Sequence, residues 1–214
     1  MTDGAYEKLE AAWKRARADG VLGGASIQEL IEHTAGYVSA VCAVSGQDAA
    51  TVGGLGIDVG TGAGVPGVLL ALSFPRMKWR LVDASEQRCD FARAAVRAAG
   101  VGDRVTVRHA RGEDLGHEEG WREAHDVAVA RLLGPPAETT ELLVPLVCDK
   151  GVAVVSTRAD GSEAWEAAPL DELGIDLVRV DARGSGVFVT LSRAGAAPQE
   201  LPRRRAVRRR SPLF

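Results

Sequence analysis

Asp58, Gly60, Gly62 and Gly64 stand at every second position within residues 57–67, Ile-Asp-Val-Gly-Thr-Gly-Ala-Gly-Val-Pro-Gly, directly after a short apolar run. The chemistry such a run can do is capture of a nucleotide-type cofactor. Glycines take positive φ and bring bare backbone against a ligand, and a helix starting near Pro66 would point its unpaired amides at the same place. A glycine-rich turn also serves as a plain strand-to-helix connection, so the run alone does not decide the matter.

The spacing is more specific. It reads G-x-G-x-G with an acid two residues before the first glycine, whereas the dinucleotide fingerprint is G-x-G-x-x-G without that acid. An S-adenosylmethionine (SAM) site fits better, because it has no pyrophosphate to cradle and the Asp58 carboxylate can serve the methionine ammonium directly or through water. Residues 78–83, Lys-Trp-Arg-Leu-Val-Asp, read as a second strand ending in an acid. At the carboxyl edge of a parallel sheet, Asp83 can accept from both ribose hydroxyls. A nicotinamide cofactor and a non-binding turn are the alternatives.

The elements that must position these groups follow from periodicity. A charged amphipathic helix is expected over 5–18, and a second over 26–43 with Ser26 as its N-cap. Beyond the glycines at 53–54 the pattern alternates: strand 55–59, helix 66–73, strand 78–83, helix 86–99, strand 104–109, strand 125–130, helix 136–147, strand 150–157. Such alternation calls for a parallel sheet with helices on both faces. A helix at 162–173 and strands at 175–181 and 186–192 follow, the strands separated by Arg183-Gly-Ser-Gly186 and so expected to pair antiparallel. The expected fold is therefore α/β, a Rossmann-like sheet of the class I SAM-dependent methyltransferase type, mostly parallel with an antiparallel C-terminal strand. Residues 1–50 would be a helical extension packed on the core, 51–195 the SAM-binding domain and 196–214 a basic tail.

Composition agrees with one enzyme domain. With 214 residues, 46% of them hydrophobic, the chain can bury a full core. No apolar stretch approaches the ~20 residues of a membrane span, and the N-terminus has no signal-peptide pattern, so a cytoplasmic protein with no membrane partner is expected. Cys42, Cys89 and Cys148 lie far apart and the four histidines show no ligand spacing, which excludes a disulfide framework and gives no metal site. Charge is unevenly spread. Residues 200–214 carry six arginines against Glu200, a local +5, so that residues 1–199 sum to −8 within a total of −3. That tail reads either as an arm that screens RNA phosphate or as a solvated end.

The motifs together resemble one family. The loop at 58–67 with its Val-Pro-Gly extension, Leu81-Val-Asp-Ala-Ser85 with Arg88 and Phe91, Arg111-Gly-Glu-Asp114 and Ala130-Arg131 are similar to the GidB family, bacterial 16S ribosomal RNA guanine-N7 methyltransferases. Even the ending, 202–214, resembles the Pro-Arg…Lys-Arg-Pro-Leu close of many members. The resemblance implies a SAM site built from Asp58, Gly60, Gly62, Gly64 and Val65 on the loop, Asp83, Ala84 and Ser85 toward the ribose, and Gly112 and Glu113 along the adenine. It further implies that Arg131 faces both cofactor and substrate and that the partner is 16S rRNA or the small ribosomal subunit; Arg158 is a second substrate-side candidate, and a monomer is expected.

Bland readings stand beside these roles. Asp83 could be only the N-terminal charge of the next helix and Ser85 only its cap; Glu113 could face solvent; Arg131 could sit in a structural ion pair. There are also departures from the family. Its usual His-x-x-Asp-Ser sequence is reduced in Ile31-Glu-His33-Thr-Ala-Gly-Tyr37 to the histidine, and the Leu-Lys-Gly after strand 5 becomes Ser156-Thr157-Arg158. Both fall on the substrate side. A small-metabolite acceptor, or a SAM-binding module without turnover, are the alternatives. For the rRNA reading, deletion of 202–214 is expected to cut activity on RNA while sparing SAM affinity. No catalytic acid–base pair is needed, since guanine N7 carries a free lone pair.

Overall fold

The computed structural model describes residues 3–158, 162–183 and 186–214. Seven strands form one sheet in the order β3-β2-β1-β4-β5-β7-β6. The strands are β1 (Gly53–Val59), β2 (Arg76–Asp83), β3 (Val105–His109), β4 (His125–Arg131), β5 (Val147–Thr157), β6 (Ile175–Arg183) and β7 (Gly186–Arg193). All neighbours from β3 to β5 pair parallel, and β7 pairs antiparallel with both β5 and β6. The expected layout is therefore the observed one. The β6–β7 connection, expected as a tight glycine turn, falls at 184–185 outside the described residues.

Helices cover both faces. On one lie α1 (Asp3–Ala18), α2 (Ile27–Ser45), α3 (Gly67–Ser73) and α4 (Glu86–Ala99). On the other lie α5 (Gly112–Leu115), α6 (Pro136–Leu143), α7 (Glu163–Glu166) and a 3-10 turn at Leu170–Leu173. The six-residue α8 (Arg205–Arg210) follows near the C-terminus. Strand β1 reads Ile57 to one face and Asp58 to the other, and its inner residues are buried, as a central parallel strand requires. Gly56 leaves room for the Trp79 ring of β2, since a Cβ there would lie 2.6 Å from it.

Local signals fix the helix ends. Ser26 and Glu29 form a reciprocal capping box at the start of α2, and Gly46 closes it in the left-handed conformation. Ser85 caps α4, accepting from the Arg88 amide, and Gly100 ends it. Two expected helices are shorter than the periodicity suggests. That at 136–147 stops at Leu143, and Val144–Leu146 is a 3-10 turn containing Pro145. The one at 162–173 is divided into α7 and the 3-10 turn, with Pro169 between them. In both cases the missing amide and the ring clash of proline override an otherwise helical pattern. Among the described residues no helix is long and apolar enough to cross a membrane, and no group of His, Cys, Asp or Glu is arranged to hold a metal.

Candidate functional site

The glycine loop sits at the carboxyl edge of the sheet, between β1 and α3. Gly60 and Thr61 donate to the carbonyl of Val82 at 2.8 and 3.0 Å, tying the loop to β2. Gly60 and Gly62 have φ of +75° and +57°, a region where a side chain is strained. From α1, buried Trp13 donates to Ala63 O at 2.9 Å, so the N-terminal helix also holds the loop's shape.

Asp58 lies beneath this loop rather than in a cavity. Its Oδ2 accepts from Thr61 Oγ1 at 2.7 Å and from Gly67 N at 2.9 Å. Burial, opposed by those two bonds, pushes its carboxyl up to about 6. Asp83 is only 4% exposed. Its Oδ2 accepts from Gly62 N at 2.9 Å and its Oδ1 from Ser85 N at 3.0 Å, with Arg88 3.9 Å away. Each oxygen keeps lone-pair capacity, and Asp83 lines the neighbouring cavity.

Three cavities adjoin along this edge. The first, about 480 Å³, is bounded by Gly60, Asp83, Ala84, Arg88, Gly112 and Glu113, with Leu133, Thr139 and Leu142 opposite and three arginines of α8 closing it. The second, about 200 Å³, lies over Gly60, Gly62 and Val65 and shares Gly60, Arg88 and Leu133 with the first. The third, about 460 Å³, contains His33, Ser156, Arg158 and Arg183 and shares Arg131 and Leu132 with the second. Arg131 is thus the junction between the loop cavity and the cleft beyond. It forms no ion pair among the described residues, so the structural-pair alternative is not what the fold makes.

Three expected cofactor residues, Asp58, Gly64 and Ser85, line none of these cavities. Asp58 organises the loop from below. A Cβ on Gly64 would lie 2.9 Å from Val68 and 3.5 Å from Ala92, so this glycine serves the packing of the loop on α3 and α4. Ser85 is the cap of α4. Gly60, Gly62, Val65, Asp83, Ala84, Gly112, Glu113 and Arg131 all line the first two cavities.

Sequence reasoning places 31–37 and 156–158 on the substrate side but gives His33, Tyr37 and Ser156 no role. Tyr37 of α2, fully buried, lies 2.8 Å from Ala130 O and 2.7 Å from Ser156 Oγ, and His33 Nε2 lies 3.1 Å from the same Ser156. The carbonyl can only accept, so it takes the tyrosine proton, and Ser156 accepts from His33 Nε2–H. Burial and the nearby Arg131 both push the His33 pKa down, which keeps the ring neutral. The two departures from the family pattern, at 31–37 and at 156–158, therefore meet in one cleft. Leu132 also escaped notice: it has φ +49° and is 63% exposed, a strained and solvent-facing leucine between two cavities.

One pH dependence follows from this geometry together with buried His125, whose pKa burial lowers to about 4. Asp58 binds a proton in the folded state that the unfolded chain releases between pH 3.8 and about 6, so its contribution is full below 3.8 and is lost as pH rises through 6. His125 acts oppositely: its contribution is full above 6.5 and is lost as pH falls toward 4. Each amounts to about 3 kcal/mol, and the two slopes largely cancel between pH 4 and 6. Thermal melts from pH 7 to pH 4 should thus show a steeper acid loss for Asp58→Asn than for the unaltered protein, and a shallower one for His125→Gln. Parallel curves for all three would remove these two groups from the account.

The sheet order, in which antiparallel β7 is inserted between β5 and β6, separates this chain from the 3-2-1-4-5-6 order of the dinucleotide-binding layout. The class so defined is the SAM-dependent methyltransferases. Comparison with known proteins narrows it: the chain belongs to the GidB family, whose model, described as rRNA small subunit methyltransferase G, matches residues 17–168. A ribosomal RNA small subunit methyltransferase G from Parasynechococcus marenigrum is 31% identical over 172 residues, covering 74% of this chain and 67% of that one. A protein of the same name from Leuconostoc citreum is 36% identical over 115 residues, 50% of this chain and 48% of that one. Among solved structures, a single-residue mutant of MtNAS in complex with S-adenosylmethionine aligns with a TM-score of 0.57 at 17% identity, over 89% of this chain and 72% of that one. A Corynebacterium glutamicum protein aligns with a TM-score of 0.59 at 17% identity, over 91% of each chain. At these identities the structural likeness is one of fold.

Proposed function

We propose that this protein methylates N7 of a guanine in 16S ribosomal RNA, with SAM held along the first two cavities and the base entering the third. The observation that carries the reading is the junction at Arg131 and Leu132, where the loop cavity opens into a cleft with three arginines, in a family described by rRNA methylation. The residues suit the cofactor. A side chain at Gly60 would stand 2.5 Å from Leu133, so the loop is kept bare where a ligand must approach, and Asp83 offers acceptors to ribose hydroxyls. Gly112 and Glu113 would lie along the adenine.

When bound, SAM supplies an electrophilic methyl group next to a sulfonium. Guanine N7 needs no general base, so the chain's task is to hold the acceptor in line and keep water out. Arg131, Arg158 and Arg183 can donate to guanine O6 and to flanking phosphates, which positions a nucleotide without removing a proton. Neutral His33, fixed through Ser156 and Tyr37, adds a planar wall without adding charge as the ring becomes cationic. Leu132 gives the base an apolar shelf; its strained backbone is a conformation that a site, rather than a core, rewards.

Transfer from radiolabelled SAM into unmethylated small ribosomal subunits, with a metabolite extract assayed in parallel, tests the proposal. Label recovered as N7-methylguanine in 16S RNA is the expected result. Label confined to the metabolite fraction would keep methyl transfer and overturn the RNA substrate.

A further inference from the structure

The C-terminal segment, expected to be a solvated or RNA-binding tail, is docked on the core. Buried Glu141 of α6 accepts three bonds from Arg203, from its backbone amide and Nε to Oε1 at 2.7 and 2.9 Å and from Nη2 to Oε2 at 2.7 Å. Arg122 donates to the carbonyls of Ala197, Pro198 and Leu201, and His117 Nε2 lies 2.9 Å from Pro202 O. Gly116 admits the Pro202 ring, which a Cβ would meet at 2.3 Å. Leu213 and Phe214 pack against the same core cluster as β4 and β5.

Within this strap, Arg208 is 2% exposed. Its Nη2 lies 3.5 Å from Glu113 Oε2, its Nη1 donates to Arg203 O, and its Nε is buried with no partner. A guanidinium taken out of water loses several kcal/mol of hydration, and one distant carboxylate does not restore it. An arm evolved only to touch phosphate would keep that charge outside. Arg205, Arg208 and Arg209 instead line the same cavity as Asp83, Gly112 and Glu113.

We propose that α8 is a built wall of the cofactor cavity and that Arg208, paired with Glu113, is a positioning residue for the adenine end of SAM. This rests on the SAM reading above. Adenine offers ring-nitrogen acceptors and one exocyclic amino donor. A guanidinium and a carboxylate side by side answer both, and Arg208 holds the Glu113 carboxylate in place for its role. Arg205 and Arg209, exposed at the rim, add positive charge beside a nucleoside end that carries none. The segment thereby links two sites: what docks the tail also completes the cofactor cavity. Deleting 202–214 should then weaken SAM itself, opposite to what a free RNA arm predicts.

The test is calorimetric titration of the full chain with SAM and, separately, with adenosine. Arg208→Ala is expected to raise both dissociation constants by the same factor, tenfold or more, because the effect sits at the nucleoside end. Arg208→Lys should recover part of the loss, and Lys14→Ala, a surface cation on α1, should stay within twofold. In turnover the KM for SAM should rise by the same factor while the KM for small subunits holds. Should Arg208→Ala not melt as a folded protein, Arg208→Lys, which keeps the buried charge but loses the planar fork, is expected to weaken SAM and adenosine by the same factor, at least threefold. Folded variants that bind SAM and adenosine as the unaltered protein does, losing only RNA affinity, would overturn the inference and leave α8 an RNA arm. A folded unaltered protein that takes up neither ligand would overturn the cofactor reading beneath it.

Discussion

Replacing Asp83 with Asn is expected to weaken SAM binding by at least about 100-fold and, through the one amide bond forfeited in the folded protein, to lower the melt by several degrees. The side chain keeps its shape, so the end of β2 and the start of α4 have no reason to move. Its chemistry changes at two points. The carboxylate now accepts from the amides of Gly62 and Ser85, one on each oxygen, and an amide side chain must turn its NH₂ toward one of those donors. One bond is lost and the loop loses the anchor that fixes Gly62 at φ +57°. The remaining lone pairs, which face a cavity from a residue 4% exposed, can no longer accept from two ribose hydroxyls. Bonds to a charged group contribute about 1.5–3 kcal/mol each, and losing two is about 3–6 kcal/mol, or roughly 100-fold and upward. Equilibrium titration with SAM reads this directly. A change within threefold would mean that Asp83 serves only as the anionic start of α4.

The sheet was legible because its signals are local. The apolar run before Asp58, the acid at Asp83 and the alternating pattern through 157 each depend on neighbours in sequence, and β1 to β5 form where they point. The loop glycines were legible as a set, but their division of labour was not: only the fold separates Gly60 and Gly62, which bound cavities, from Gly64, which packs on Ala92. Pro145 and Pro169 were visible and should have ended their helices. The acceptor cleft was less legible for a different reason. His33, Tyr37, Ser156 and Arg131 lie on α2, β4 and the end of β5, and no spacing rule links positions more than a hundred residues apart. Leu132 gave no signal at all, since a leucine after a strand reads as core until its backbone angle is known. The tail misled because arginine counts describe charge and not burial. Glu141 and Glu113, its partners, sit in segments read as a helix and as a stretch that could face solvent.

The same strap yields the largest expected effect on stability. Arg203→Ala removes the guanidinium but keeps the backbone amide, so Glu141, 1% exposed, retains one of its three bonds. A carboxylate left buried without its countercharge costs about 3–5 kcal/mol, out of a total of about 5–15 kcal/mol for a domain. With about 2–4 °C per kcal/mol at this size, the midpoint of thermal unfolding should fall by roughly 6–20 °C. The reverse change should cost less. Glu141→Leu leaves Arg203 with a side chain already 23% exposed, which can turn to water and keep its hydration. The double variant Arg203→Ala/Glu141→Leu removes both charges and should melt above Arg203→Ala alone, because an apolar pair of similar volume is close to neutral where a lone buried charge is not. That ordering, Arg203→Ala lowest, is the signature of an uncompensated carboxylate rather than of lost packing. If Arg203→Ala melts within 2 °C of the unaltered protein, as scatter of about 0.5 kcal/mol would allow, Glu141 has found water and the strap is not locked to α6. If it melts far lower while Glu141→Leu does not, the loss lies in the uncompensated buried carboxylate, and the tail stays docked through its contacts to Arg122, His117 and the apolar core.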